Sequence, residues 1–82
     1  MRPRTISVLG WYGVAATLLA YVLVSFSFVE PTSLIYQGLN LTGAVGVTIE
    51  TLYKKDYQPF WLNLIWACIA LVAIANIVRV WW

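Results

Sequence analysis

The sequence predicts an all-α integral membrane protein, with three transmembrane helices in one small bundle. Three observations predict it. The 82-residue chain is 62% hydrophobic and 10% charged, with a mean hydropathy of +0.83. A soluble domain carries about 25% charged residues, so charge here is too sparse to cover a water-facing surface. The apolar residues also gather in three runs, each near the ~20 residues that cross a hydrocarbon core of ~30 Å. Finally, two short segments that stop helices, "VEPTS" and "KKDYQP", separate the runs. One domain over residues 1–82 accounts for the whole chain.

The first span is expected over residues 6–29, which carry no charge. Arg2 and Arg4 before it resemble the basic start of a signal peptide. The apolar run exceeds the usual h-region of about 7–15 residues, however, and is read as an uncleaved span. Pro31 cannot continue a helix interior, and Thr32 or Ser33 can cap the next helix. The second span is expected over 34–53. Pro59 suits the first turn of a third helix, which is expected over 60–80. Basic residues in short loops stay on the cytoplasmic side. Arg2 and Arg4 precede span one, and Lys54 and Lys55 follow span two. The expected topology in a bacterial inner membrane is therefore a cytoplasmic N-terminus and a periplasmic or extracellular C-terminus, with Arg79 as the one basic residue at the outer end. Trp11, Tyr12, Tyr53, Tyr57, Trp61, Trp81 and Trp82 fall near the predicted interfaces, where aromatic belts form.

Small residues let helices approach closely in lipid. Span one carries Gly10, Gly13, Thr17, Ala20, Val24 and Ser27 at spacings of three and four. Span two offers Gly38, Thr42 and Gly46, with Gly43 beside them, and span three offers Asn63, Ala67, Ala70 and Ala73. These stripes are expected to meet in the bundle.

Four residues form the candidate polar intramembrane face: Asn40, Glu50, Asn63 and Trp66. Asn40, Gly43, Val47 and Glu50 follow heptad spacing and are read as one face. Glu50 and Asn63 fall at similar depth, level with Gly10 and Gly13, and are expected to meet beside a glycine gap. Lys54, four residues after Glu50, is an alternative ion-pair partner. A carboxylate below the headgroups is costly and is a functional candidate by default. Asn76 falls near the outer end of span three and points roughly away from Asn63.

Several function classes lack support. With no His and a single Cys68, no metal constellation and no internal disulfide can form. Cys68 lies mid-span and is read as a packing residue. No basic stripe suggests nucleic acid, no nucleophile stands beside a base, and no cofactor motif is present. The "NLT" at Asn40 matches a glycosylation pattern but lies inside a span. The chain is expected not to be an enzyme.

The segments "YQGLNLTGA" and "NLIWACIAL", within Tyr36 to about Ile77, resemble the CBU-like domain family of small bacterial membrane proteins. The resemblance implies a three-span membrane domain and supplies no catalytic residues. A looser likeness is to the SemiSWEET half-transporters, three-helix protomers that pair to pass sugars. The Pro-Gln pair of that family's first helix is absent from span one, and the predicted orientation is opposite. The expected function is a self-associating or accessory module whose partners are the bilayer and a second copy or a larger membrane complex. The alternative is a dimeric small-solute transporter with Asn40, Glu50, Asn63 and Trp66 along its path.

Overall fold

The structure, a computed structural model, describes the backbone of residues 3–81 and the side chains of residues 3–79. Arg2 and Trp82, and the side chain of Trp81, lie outside the described residues. Three helices make up the fold: α1 (Pro3–Ser25), α2 (Leu34–Tyr53) and α3 (Tyr57–Trp81). Of these, α1 and α3 are long and apolar enough to cross a membrane. At 20 residues α2 also reaches about 30 Å, from the rise of about 1.5 Å per residue, but it carries more polar residues.

The helix ends show where local chemistry overrides hydropathy. The first helix was expected to run to residue 29, yet α1 stops at Ser25. Ser27 adopts a left-handed backbone (φ 63°). The Phe28 N–H then reaches the Leu23 carbonyl at 2.8 Å, and the Ser27 N–H reaches that of Val24 at 3.2 Å. This is the Schellman arrangement, which satisfies carbonyls that a helix end leaves open. Lys55 repeats it after α2, with φ 58° and an Asp56 N–H to Thr51 carbonyl bond of 2.8 Å. Hydropathy cannot see the first of these turns, because Phe26, Phe28 and Val29 are apolar whether helical or not. The second helix occupies its expected residues. Of its two candidate caps, Ser33 is the one used: its hydroxyl accepts the Tyr36 N–H at 3.2 Å. Ser33→Ala should lower stability by about 1 kcal/mol, read as a shift in an unfolding transition followed by circular dichroism. A loss below a few tenths would show that the cap is dispensable. The third helix starts three residues earlier than expected, and Pro59 lies in its first turn as anticipated.

The three small-residue stripes do not all meet at one centre. α2 packs against α1 on one side and α3 on the other, and among the described residues α1 and α3 do not touch. The arrangement follows from the helical wheel of α2. Gly43, Gly46 and Glu50 meet α1, while Asn40 meets α3, with Ala44 and Thr51 close to Asn40 on the wheel. At about 100° per residue, the two stripes point about 100° apart. Three mutually touching helices need about 60°. The helices therefore form an open row, 39 × 25 × 21 Å overall.

The two interfaces differ in grain. Between α1 and α2 the contact is backbone on backbone. A Cβ added at Gly13 would overlap the Gly43 carbonyl and lie 2.6 Å from Val47 Cγ2. One added at Gly43 would lie 2.9 Å from the Gly13 carbonyl, and one at Gly46 2.5 Å from the Leu9 carbonyl. The buried residues of α1 are Ile6, Gly10, Gly13, Ala16 and Ala20. The expected stripe is thus largely the real one, with Thr17 half-buried beside it. Ser27 leaves the stripe because it lies beyond the helix, and Ala16 joins it. Between α2 and α3 the contact is alanine on alanine, with Ala44, Ala67 and Ala70 all buried.

Two expected packing residues do other things. Gly38 faces open space, with nothing within 4 Å of a Cβ built there. Thr42 is exposed and bonds the Tyr12 hydroxyl at 2.7 Å and the Gly38 carbonyl at 2.9 Å. The i, i+4, i+8 stripe drifts by about 40° per step, so Gly46 packs on α1, Thr42 reaches it only through the Tyr12 hydroxyl, and Gly38 misses it. Cys68, expected to pack inside, is exposed.

Candidate functional site

The four polar candidates do not share one site. They divide into two groups on opposite flanks of α2, for the same reason that the row is open.

On the α1 flank, the Glu50 carboxyl lies directly over Gly10, where an added Cβ would overlap its Cδ and both oxygens. In this rotamer the carboxyl occupies the space that a Cβ at residue 10 would fill. One oxygen, Oε2, pairs with Lys54 Nζ at 3.3 Å, and the lysine itself is mostly exposed. No hydrogen bond reaches Oε1 among the described residues, and the carboxyl opens onto a groove of about 230 Å³ lined by Ser7, Gly10, Trp11, Val14, Glu50 and Lys54. Of the two partners weighed for Glu50, Lys54 is the one present. The glycine gap exists as well, but it is filled by Glu50 itself.

On the α3 flank, buried Asn40 is bonded at both its amide nitrogen and its amide oxygen. Its Nδ2 donates to the Tyr36 carbonyl at 2.9 Å, and its Oδ1 accepts from Trp66 Nε1 at 3.1 Å. Beside it is a small groove of about 150 Å³ lined by Tyr36, Gln37, Asn40, Trp66, Ile69 and Ala70. Asn63 lies on this flank too, but its Nδ2 donates to the Pro59 carbonyl of its own helix at 2.9 Å. It does not meet Glu50. The expected Glu50–Asn63 contact matched depth without the direction around α2, where Glu50 turns to α1. Asn40 likewise departs from the expected common face, since three residues separate it from Gly43 and leave it about 60° away.

Most other threonine hydroxyls in the helices bond their own helix. Thr17 donates to the Gly13 carbonyl at 2.8 Å, Thr48 to that of Ala44 at 2.6 Å and Thr51 to that of Val47 at 2.8 Å. This back-bonding satisfies each hydroxyl within its own helix. Among the described residues, no buried side-chain nitrogen or oxygen lacks a partner, and no three metal-ligating side chains come together.

The sequence named Asn40 and Trp66 without pairing them. Their bond spans 26 residues, and no local spacing reports it. The Tyr12–Thr42 bond spans 30 and is equally invisible, because Tyr12 reads as an interfacial aromatic.

A family model matches residues 6–81, which takes in nearly all of the three helices. The chain belongs to the CBU-like family. The CBU-like match extends beyond the Tyr36–Ile77 segment that carries the resemblance and includes α1. It lends no support to the SemiSWEET likeness. Neither the curated proteins nor the solved structures give a match to the chain.

Proposed function

We propose that this CBU-like chain is a non-enzymatic, three-span protein of a bacterial inner membrane that acts as a self-associating or accessory module. The observation that carries the reading is the distribution of apolar surface around all three helices. Val8, Leu18, Tyr21 and Val22 of α1, and Leu62, Ile65, Ile69 and Val72 of α3, are all exposed. In water, patches of this size mark an interaction or membrane surface.

The same distribution supports α2 as a third span despite its polar residues. Asn40 and Thr51 are buried, and Glu50 is shielded by α1. The outward face of α2 is Leu34, Ile35, Val45 and Leu52, all exposed. Apart from exposed Thr42, whose hydroxyl is bonded to Tyr12 and to the Gly38 carbonyl, the helix is most polar where its neighbours cover it, which is how intramembrane polar residues are usually arranged. The aromatic residues Tyr53, Tyr57 and Trp61, exposed around the α2–α3 turn, suit a membrane interface.

The geometry favours this reading over the transporter. A path through Asn40, Glu50, Asn63 and Trp66 requires them to face one channel. Here Glu50 and Asn40 look to different helices, and Asn40 already holds Trp66.

Topology is the test. A phosphatase reporter, active only outside the cytoplasm, should be active when fused after Trp82 and inactive when inserted between Lys55 and Asp56. An odd number of crossings separates the termini. The reverse pattern, activity at the insertion and none after Trp82, would remove α2 as a span, and activity at both positions would remove α3; either result would overturn the three-span reading.

A further inference from the structure

The small-residue stripes are spent inside the protomer, where Gly13, Gly43 and Gly46 hold α1 to α2. Self-association must use another surface. We infer that the outer face of α3 is that surface, and that its occupant is α3 of a second copy with Asn76 meeting its own counterpart. This rests on the self-associating reading above.

Leu62, Ile65, Ile69, Val72 and Asn76 recur at spacings of three, four, three and four. That is the a/d repeat of a coiled coil. All five are exposed, and they point about 160° away from the Ala67–Ala70 face that packs on α2, from about 100° per residue. A second helix can therefore approach without displacing anything. An open, apolar groove of about 530 Å³ runs along this face from Leu64 to Asn76, with Cys68 in its wall. Such a groove is what the side-chain knobs of a facing helix fill.

Asn76 says what fills it. Lipid tails can cover Ile65, Ile69 and Val72, but they cannot satisfy an amide. Asn76 lies seven residues beyond Ile69, the middle of the 25-residue α3. It is thus about 10 Å from the midplane and inside a hydrocarbon half-thickness of about 15 Å. Its side chain has no hydrogen-bond partner among the described residues. An amide both donates and accepts, so it complements itself. Two copies inserted with the same topology are related by an axis along the membrane normal. That axis makes the α3 helices parallel and places the two Asn76 side chains at one depth. A single Asn at an a position fixes register and pairing in coiled coils. Arg79 continues the stripe at the helix end, where its long side chain can reach the headgroups.

The full chain carrying Cys68→Ala would be reconstituted in liposomes with one cysteine at a time. Positions 65, 69, 72 and 76 would be compared with the exposed controls Leu71→Cys and Ala75→Cys after oxidation by copper–phenanthroline. At least fivefold more disulfide-linked dimer is expected at the four stripe positions than at the controls. Energy transfer between labelled copies, measured on lipid dilution, reports association whatever face is used. Asn76→Ala should weaken it about 3- to 20-fold. Energy transfer with cross-links that peak at the controls, or at no position, would overturn the α3 surface while leaving self-association intact. Absence of energy transfer at every dilution would overturn both.

Discussion

Gly13→Ala should destabilise the protomer by about 2–3 kcal/mol, while Gly38→Ala in the next helix should be neutral or stabilising. The chemical change is the same, a single methyl group, and both sites are helical. At Gly13 the new methyl overlaps the Gly43 carbonyl and lies 3.0 Å from the Val47 nitrogen. Both are backbone atoms of α2, so no side-chain rotation relieves the overlap and the helices must separate. Overpacking of this kind costs about 1–3 kcal/mol, and the rigidity of the obstacle puts Gly13 at the upper end. Separation also removes the close backbone approach on which small-residue helix pairs depend. At Gly38 a methyl meets nothing within 4 Å, and alanine is favoured over glycine in a helix by about 0.5–1 kcal/mol. Equilibrium unfolding of both variants in mixed micelles gives the comparison directly. Equal effects in the two variants would mean that the α1–α2 contact yields to the added methyl group and places no special demand on Gly13.

Ala70→Leu is expected to act at the other interface, with a cost of about 2–3 kcal/mol. Ala70 is 2% exposed and packs beside Ala67 in the face that α3 turns to α2. Three further carbons there push α3 outward and stretch the Asn40–Trp66 bond, which is 3.1 Å long. That bond alone is worth only about 0.6 kcal/mol by the average for membrane side-chain pairs, so lost packing dominates. Because α1 and α3 do not touch, the damage should stay local. The double variant Gly13→Ala, Ala70→Leu should then lose the sum of the two single effects to within about 0.5 kcal/mol. A large non-additive remainder would mean that α2 transmits strain between its two flanks, or that α1 and α3 meet in the membrane.

These two variants probe different kinds of information. That the chain is three helices was legible in the sequence, because it depends on counts along the chain: apolar runs of sufficient length, and Pro31 and Pro59 at the breaks. The α1 stripe was legible for the same reason. Gly10, Gly13, Thr17 and Ala20 are near neighbours on one helix, and their spacing alone puts them on one face. The Glu50–Lys54 pair, four residues apart, belongs with them. The left-handed turns at Ser27 and Lys55 were not legible, since neither residue is a glycine that would announce one.

The candidate site shows the boundary most clearly. Depth could be read from sequence, because each residue adds a fixed rise, and Glu50 near the end of α2 and Asn63 near the start of α3 do both lie toward the α2–α3 turn. Direction could not, because it depends on which side of α2 each neighbour occupies. Sequence by itself determined the three helices, their apolar surfaces and the small residues that let them approach. Only the tertiary structure decided that α2 is the middle of an open row, that Glu50 rests on Gly10, and that Asn40 holds Trp66. The physical reason is that a helix wheel fixes the angles between its own residues, while the positions of neighbouring helices around it are set by contacts 26 to 40 residues distant in the chain.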